Sequence, residues 1–444
     1  MRKPIEAQET GPGTGDRTVG IVGLGYVGLP LALAFADAGF AVTGIDSNPD
    51  RVARIQTGSS PIEDISDDRL SAAIADGLRV AEPSATEIRA CDAAFVCVPT
   101  PLDQAKNPDL SAVRAAAATV AEGLRAGQLI VLQSTTYPGT TVGPFCEELE
   151  KSGLTAGRDF DLAYAPERIS PGDPRSAGSA IPRLVGGTTP GATDRAARLL
   201  GRISDRVVTL SSPDAAEMAK LLENVFRNVN IALVNQLALL CERMGIDVWE
   251  VIEAAATKPF GFMRFTPGPG VGGHCIPVDP YYLAARAREF DFVDRFVETA
   301  GDINLAMPRH AVDLAVAALN DRGRALRGSR VGVIGVAFKP NVADARNSPA
   351  AAILGLLSAQ GAQVEYHDPH VATFVDDLGL ERRSRPLDSL LDESDLVMIV
   401  TAHRIIDWDR VFEGALVLDT VNASAGRTLR PRQVLRLGAG WASA

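Results

Sequence analysis

Cysteine is scarce in this 444-residue sequence, and the five present (Cys91, Cys97, Cys146, Cys241, Cys275) form no CxxC pair. An odd, scattered set of thiols excludes a disulfide framework and a structural metal site, and it points to a reducing, cytoplasmic setting. Runs of lysine or arginine are absent and the net charge is −11, so a nucleic-acid-binding surface is excluded as well. No apolar run is long enough to cross a membrane: the most apolar helical stretch, Ile231 to Leu240, is broken by Asn235 and Gln236. The first sixteen residues are polar and glycine-rich without an apolar centre, which predicts a loose tail and no signal peptide. What remains is an ordinary globular composition, 46% hydrophobic and 22% charged, with length for two or three domains.

The clearest local signal begins at Thr18. A short apolar strand (Val19 to Val22) runs into Gly23-Leu24-Gly25-Tyr26-Val27-Gly28, then a helix (Leu29 to Ala38), Gly39, and a second strand (Ala41 to Ile45) ending at Asp46. This is a dinucleotide fingerprint in its required context: Gly23 for the tight turn, Gly25 for close approach to a pyrophosphate, Gly28 for helix–strand packing. The helix N-terminus offers free N–H groups to phosphates. Asp46 is suited to ribose hydroxyls and repels a 2′-phosphate, which favours NAD over NADP.

More strand–helix alternation follows. Asp92 to Val98 is a buried strand ending in Val98-Pro99-Thr100-Pro101, Gln128 to Gln133 one ending in Ser134-Thr135-Thr136, and Asp161 to Tyr164 one ending in Ala165-Pro166-Glu167-Arg168. Ligands of open α/β sheets sit beyond such carboxyl ends, so these hydroxyls and Glu167 are candidate site groups; capping of the following turns is the other reading for Thr100, Ser134 and Thr135. From Ser212 to Met244 the period becomes that of one long helix, with Lys220 and Asn224 on one face.

Downstream, Pro267 to Pro280 is too rich in glycine and proline for a helix or an interior strand, and it carries His274, Cys275 and, four residues on, Asp279. A thiol with a nearby carboxylate is a candidate nucleophile; a surface loop with a chance cysteine is the alternative. A second helical stretch, from Pro280 through Ala317, is expected to break near Gly301 and Pro308. After a linker at Asp321–Arg324 a second strand–loop–helix unit begins at Arg330, without a GxGxxG and with Lys339 and Arg346 as candidate phosphate or sugar contacts.

Together these residues resemble the UDP-sugar 6-dehydrogenase family, over essentially Thr18 to Gly426. The motifs are GLGYVGLP, VPTP, QSTTYPGTT, APER, EMAKLLENVFR, PGPGVGGHCIPVDP, FKP and DARNSP. The resemblance implies an α/β chain in three parts: an N-terminal Rossmann NAD-binding domain (17–210), a central long-helix dimerisation domain with the cysteine loop (211–325), and a C-terminal Rossmann-like UDP-sugar-binding domain (326–444). The segment Thr257 to Met263 and His274 beside Cys275 look most like the branch acting on UDP-N-acetylglucosamine. UDP-glucose enzymes tend to carry lysine where this chain has Val278.

The implied reaction is oxidation of the C6 alcohol of a UDP-N-acetylhexosamine to a carboxylate with two NAD+, through an aldehyde and a Cys275 thioester. Lys220 and Asn224 would stabilise the oxyanion at C6, and Asp279, with Thr135 and Glu167, would activate the hydrolytic water. The cofactor would be held by Gly23, Gly25, Tyr26, Val27, Gly28, Asp46, Arg51, Pro99, Thr100, Ser134, Thr135 and Arg346. The sugar nucleotide would meet Glu167, Arg168, Lys220, Asn224, Phe265, Gly270, Gly272, Gly273 and Lys339, with Arg264 as a further contact lacking a firm family counterpart. Three positions depart from the family pattern: Gln236 and Asn347 each stand where glutamate is common, and Val421 where arginine is common. UDP-N-acetylmannosamine and UDP-glucose are the alternative substrates. More remote readings are a two-electron 3-hydroxyacid dehydrogenase and a non-catalytic nucleotide-sugar-binding protein.

Overall fold

The computed structural model describes residues 15–62, 64–103, 105–168 and 181–442. Residues 1–14 of the expected tail lie outside them. Two compact units emerge, one formed by the chain up to Glu223 with Tyr281–Phe292, the other by Asn224–Pro280 with the chain from Val293 onward.

The first unit is built on strands β1 (Thr18–Val22), β2 (Ala41–Ile45), β3 (Arg79–Ala81), β4 (Ala93–Val96), β5 (Leu129–Leu132), β6 (Asp161–Tyr164), β7 (Arg183–Gly187) and β8 (Val207–Thr209). Among the described residues they form one sheet in the order β3-β2-β1-β4-β5-β6-β7-β8. Every pairing is parallel except β6 with β7. Burial on both faces explains the continuous apolar strands: every residue of β4 and β5 is buried. Phe35, from the helix Gly28–Asp37, packs on Phe95 of β4 with ring centroids 5.1 Å apart. Strand order reverses between β1 and β4, so the Gly23 loop opens at the topological switch point.

The second unit carries β9 (Arg330–Ile334), β10 (Gln363–His367), β11 (Thr373–Val375), β12 (Glu381–Arg383), β13 (Leu396–Ile399), β14 (Val417–Asp419), β15 (Val434–Arg436) and β16 (Gly440–Trp441). The sheet runs β10-β9-β13-β14-β15-β16, with β11 and β12 as a separate hairpin. Its first turn repeats the logic of the first unit. Gly23 (φ 93°) is followed by a Leu24 N–H donating to Asp46 at 2.8 Å; Gly335 (φ 82°) is followed by Val336 and Ala337 N–H groups donating to Asp368 at 2.8 and 3.0 Å. In both, a carboxylate at the end of the neighbouring strand satisfies loop donors that would otherwise be buried unpaired.

One helix, Pro213–Met244, carries the Lys220/Asn224 face as expected. The following helical stretch differs from expectation. It splits at 289–294, into Asp279–Arg288 and Arg295–Asn320, and runs unbroken through Gly301 and Pro308. Asp291 takes a left-handed φ of 54° and the Asp294 side chain caps the Val297 N–H, which ends one helix and starts the next. A proline inside a helix costs about 3 kcal/mol. Here the neighbouring Met307, Ala311, Val312 and Ala315 are fully buried, and that packing offsets the cost of continuing the helix through Pro308.

Candidate active site

The loop after β1 is shaped by contacts only glycine allows. A Cβ on Gly28 would sit 1.8 Å from the Gly23 carbonyl oxygen, whereas a Cβ on Gly25 would meet nothing within 4 Å. Gly28 therefore serves packing, and Gly25 keeps an open approach to the loop. The helix that follows has no side-chain cap and no acidic residue in its first turn, so its N–H groups are unopposed toward an anion. Asp46 is buried; one oxygen accepts from Leu24 N–H and from Arg51 (3.0 Å), the other from Asn48 N–H (2.9 Å). Its carboxylate thus holds the loop as well as marking the strand end, and Arg51 is drawn to it.

Other strand-end residues of this unit have specific partners. Ser134 donates to the Val98 carbonyl (2.7 Å), tying the end of β5 to the Pro99–Pro101 segment, where Pro99 is exposed and Thr100 half-buried. The same segment receives the Tyr282 hydroxyl at the Pro101 carbonyl (2.9 Å), from the helix that Asp279 begins. Glu167 is bridged by Arg183 (3.1 Å) and by the Gln133 amide (3.1 Å), both missed from sequence because they lie 16 and 34 residues away. Arg168 forms a two-point pair with Glu223 of the long helix (2.6 and 3.3 Å). Lys220, on the same helix, is 7% exposed, and among the described residues its ammonium meets no hydrogen-bond or ion-pair partner. A mostly buried lysine whose charge has no partner within the fold is a candidate for work on a ligand.

In the second unit the cysteine loop and the long helix meet. Asn224 donates to the Asp279 carboxylate at 2.5 Å, and both side chains are buried. The Asp279 N–H closes a turn onto the Cys275 carbonyl (2.8 Å), so thiol and carboxylate belong to one tight turn. Cys275 is exposed, while burial pushes the Cys91 and Cys146 thiols up to about 11 and drives Cys97 higher still. Upstream, a Cβ on Gly270 (φ 138°) would strike Pro349 at 2.8 Å, and one on Gly272 the Asn347 carbonyl and Phe338, both at 2.9 Å. A Cβ on Gly273 (φ 89°) would touch the Phe338 ring at 3.0 Å. These glycines let the loop lie directly on the Phe338–Pro349 segment.

That segment answers with side chains. Asn347, in a left-handed φ of 52°, donates to the Gly273 carbonyl at 3.1 Å; the common glutamate has no such donor, so this departure has a structural use. Arg346 pairs with Asp344 (2.7 Å), whose other neighbour is His274 (3.8 Å). Burial, with the Arg346 charge beside it, holds His274 below its ordinary pKa and favours the neutral ring. Lys339 lies over the Phe338 ring at 5.4 Å. Arg264 instead pairs with Glu253 on an exposed surface, and Phe265 packs edge-on against Phe226 with centroids 5.8 Å apart.

A dinucleotide loop, an exposed thiol in a turn with a buried carboxylate, and a second nucleotide-type sheet define an NAD-dependent dehydrogenase of sugar nucleotides. The chain belongs to the UDP-glucose/GDP-mannose dehydrogenase family, whose NAD-binding, central and UDP-binding domains match residues 17–203, 214–306 and 332–425. It is similar to the UDP-N-acetyl-D-glucosamine 6-dehydrogenase of Pseudomonas aeruginosa, at 38% identity over 80% of this chain and 84% of the relative. It is also similar to the NDP-N-acetyl-D-galactosaminuronic acid dehydrogenase of Ralstonia nicotianae, at 35% identity over 91% and 95%. Among solved structures, the UDP-D-ManNAc dehydrogenase of Pyrococcus horikoshii aligns with a TM-score of 0.84 at 32% identity, over 95% of this chain and 99% of that one. The family and the α/β fold expected from sequence are thereby borne out.

The Gly25/Gly28 contrast tests the cofactor loop. Gly25→Ala keeps the melting temperature within about a degree yet weakens NAD+ binding on the order of tenfold or more, because the new methyl occupies only ligand space. Gly28→Ala destabilises the protein by several kcal/mol through its backbone clash, roughly the cost of severe overpacking. Isothermal titration with NAD+ and thermal melts check both; a melting temperature for Gly25→Ala lowered as far as that of Gly28→Ala contradicts the assignment.

Proposed function

We propose that the chain oxidises the C6 alcohol of UDP-N-acetylglucosamine to the uronate through a thioester on Cys275. The observation that carries this reading is the buried Asn224–Asp279 hydrogen bond at the turn that presents an exposed Cys275. When bound, NAD+ accepts hydride at each of the two oxidation steps. The balance is one alcohol, two NAD+ and one water giving one carboxylate, two NADH and three protons.

Lys220 and Asn224 stabilise negative charge on the C6 oxygen as its proton leaves, with the lysine supplying charge and the asparagine a directed N–H. The Cys275 thiolate then adds to the aldehyde carbon, forming a C–S bond and a thiohemiacetal whose oxidation leaves a thioester. Asp279, held by Asn224, takes a proton from the water that attacks the thioester carbon, and the C–S bond breaks to release the thiol and the carboxylate. Thr135 orients that water together with Glu167, which is held by Arg183 and Gln133 and also lines the sugar site. Lys339, Arg168 and Arg346 hold the nucleotide sugar and cofactor.

The N-acetylglucosamine assignment is supported by the Pseudomonas aeruginosa relative and by His274 beside the nucleophile. Relatives named for the manno and galacto sugars make those the alternatives. A panel of UDP-N-acetylglucosamine, UDP-N-acetylmannosamine, UDP-N-acetylgalactosamine and UDP-glucose, followed by NADH formation, tests it. The highest kcat/KM is expected for the first, and a higher value for any other overturns the assignment. Homodimerisation is supported by large apolar side chains left exposed along one helix, namely Phe226, Leu233, Leu237, Leu240 and Met244. The same reading keeps the three-part division at residues 210 and 325 and a cytoplasmic location, the latter supported by the free thiols.

A further inference from the structure

We propose that Glu217 is a positioning residue for this oxidation, fixing the turn after β5 and thereby Thr135 at a set place relative to Lys220. The inference rests on the reading above. Glu217 is fully buried in the long helix, one turn before Lys220 and on the same side of it. Four donors from the turn converge on its carboxylate. They are the Thr136 hydroxyl (3.3 Å), the Gly139 N–H (2.8 Å), the Thr141 N–H (2.9 Å) and the Thr141 hydroxyl (2.7 Å). An ionised carboxylate has about four acceptor sites and no donor, which matches this set; a glutamine would aim its NH2 at N–H groups.

The turn is also held from its other side. Arg286 donates to the Pro138 carbonyl (3.0 Å) and lies over the Tyr137 ring at 5.6 Å. Gly139 has a φ of 96°, which strains any other residue, and a Cβ there would push on the Arg286 guanidinium at 2.8 Å. Thr135 directly precedes the first residue gripped. Closing a turn does not require a buried acid, and this one is costly: burial pushes the Glu217 carboxyl up to about 7 against the donors that favour its charge. What the arrangement gains is rigidity between Thr135 and the helix bearing Lys220.

Because Thr135 acts at the water step, loosening the turn slows thioester hydrolysis more than the steps before it. Glu217→Gln is expected to release NADH in a burst, then turn over roughly 10- to 100-fold more slowly than wild type, the scale of a small misplacement at a reacting centre. During the slow phase, intact-mass spectrometry shows the acyl adduct on Cys275, which a merely structural role does not produce. Thr141→Val deletes one donor and keeps the acid; it is expected to give the same adduct with a smaller slowing, and it decides the matter if Glu217→Gln does not fold. Wild-type turnover, or slowing without the adduct, overturns the proposal. A wild-type enzyme that forms no NADH with any UDP-sugar removes the underlying reading, and the positioning role with it.

Discussion

Cys275→Ser is expected to abolish uronate formation, lowering its rate on the order of 10³-fold or more, while the protein stays folded and binds NAD+ and UDP-sugar. Serine keeps the shape of the turn and its exposure, but its hydroxyl is ionised far less than a thiol at neutral pH and does not trap the aldehyde. The backbone contact that closes the turn, Asp279 N–H to the Cys275 carbonyl, does not involve the sulfur, so folding is spared. The other described cysteines are buried or half-buried and cannot substitute for it. The variant stalls after the first oxidation, which product analysis shows as aldehyde or unreacted sugar without acid. Acid formed at the wild-type rate contradicts covalent catalysis.

Lys220→Met is expected to separate function from stability. The lysine side chain is mostly buried and meets no ion-pair or hydrogen-bond partner among the described residues, so removing the charge breaks no contact within the fold. An apolar side chain of similar length is therefore expected to leave the melting temperature unchanged or slightly raised. On the proposed mechanism the same change removes charge stabilisation at the C6 oxygen, and kcat is expected to fall roughly 10²- to 10³-fold. Thermal melts and steady-state kinetics on one preparation check both halves. A variant that melts lower and keeps its activity shows that Lys220 belongs to the structure and not to the chemistry.

What sequence revealed and what it hid divides along one physical line. The Gly23–Gly28 loop, the Lys220/Asn224 face and the Cys275–Asp279 turn are local, because their geometry depends on residues within one turn or one strand–helix junction. The partners that set their chemistry are remote. Glu217 reaches residues 76 to 81 positions away, Asn224 meets Asp279 across 55, and Arg183 finds Glu167 across a segment with no periodic signal. Backbone propensity misled at Pro308, where burial of Met307 and Ala311 outweighed a helix breaker, and the break fell instead at Asp291, whose left-handed φ carries no strong sequence signature. Arg264 illustrates the converse: a basic residue near the cysteine loop in sequence, yet paired with Glu253 at the surface.

The measurement that bears most directly on the account is the number of NADH formed per UDP-N-acetylglucosamine consumed, with the product identified by mass. Oxidation through a Cys275 thioester predicts two NADH and one uronate for each sugar. One NADH per sugar, with a carbonyl product, contradicts it and favours a simple two-electron dehydrogenase.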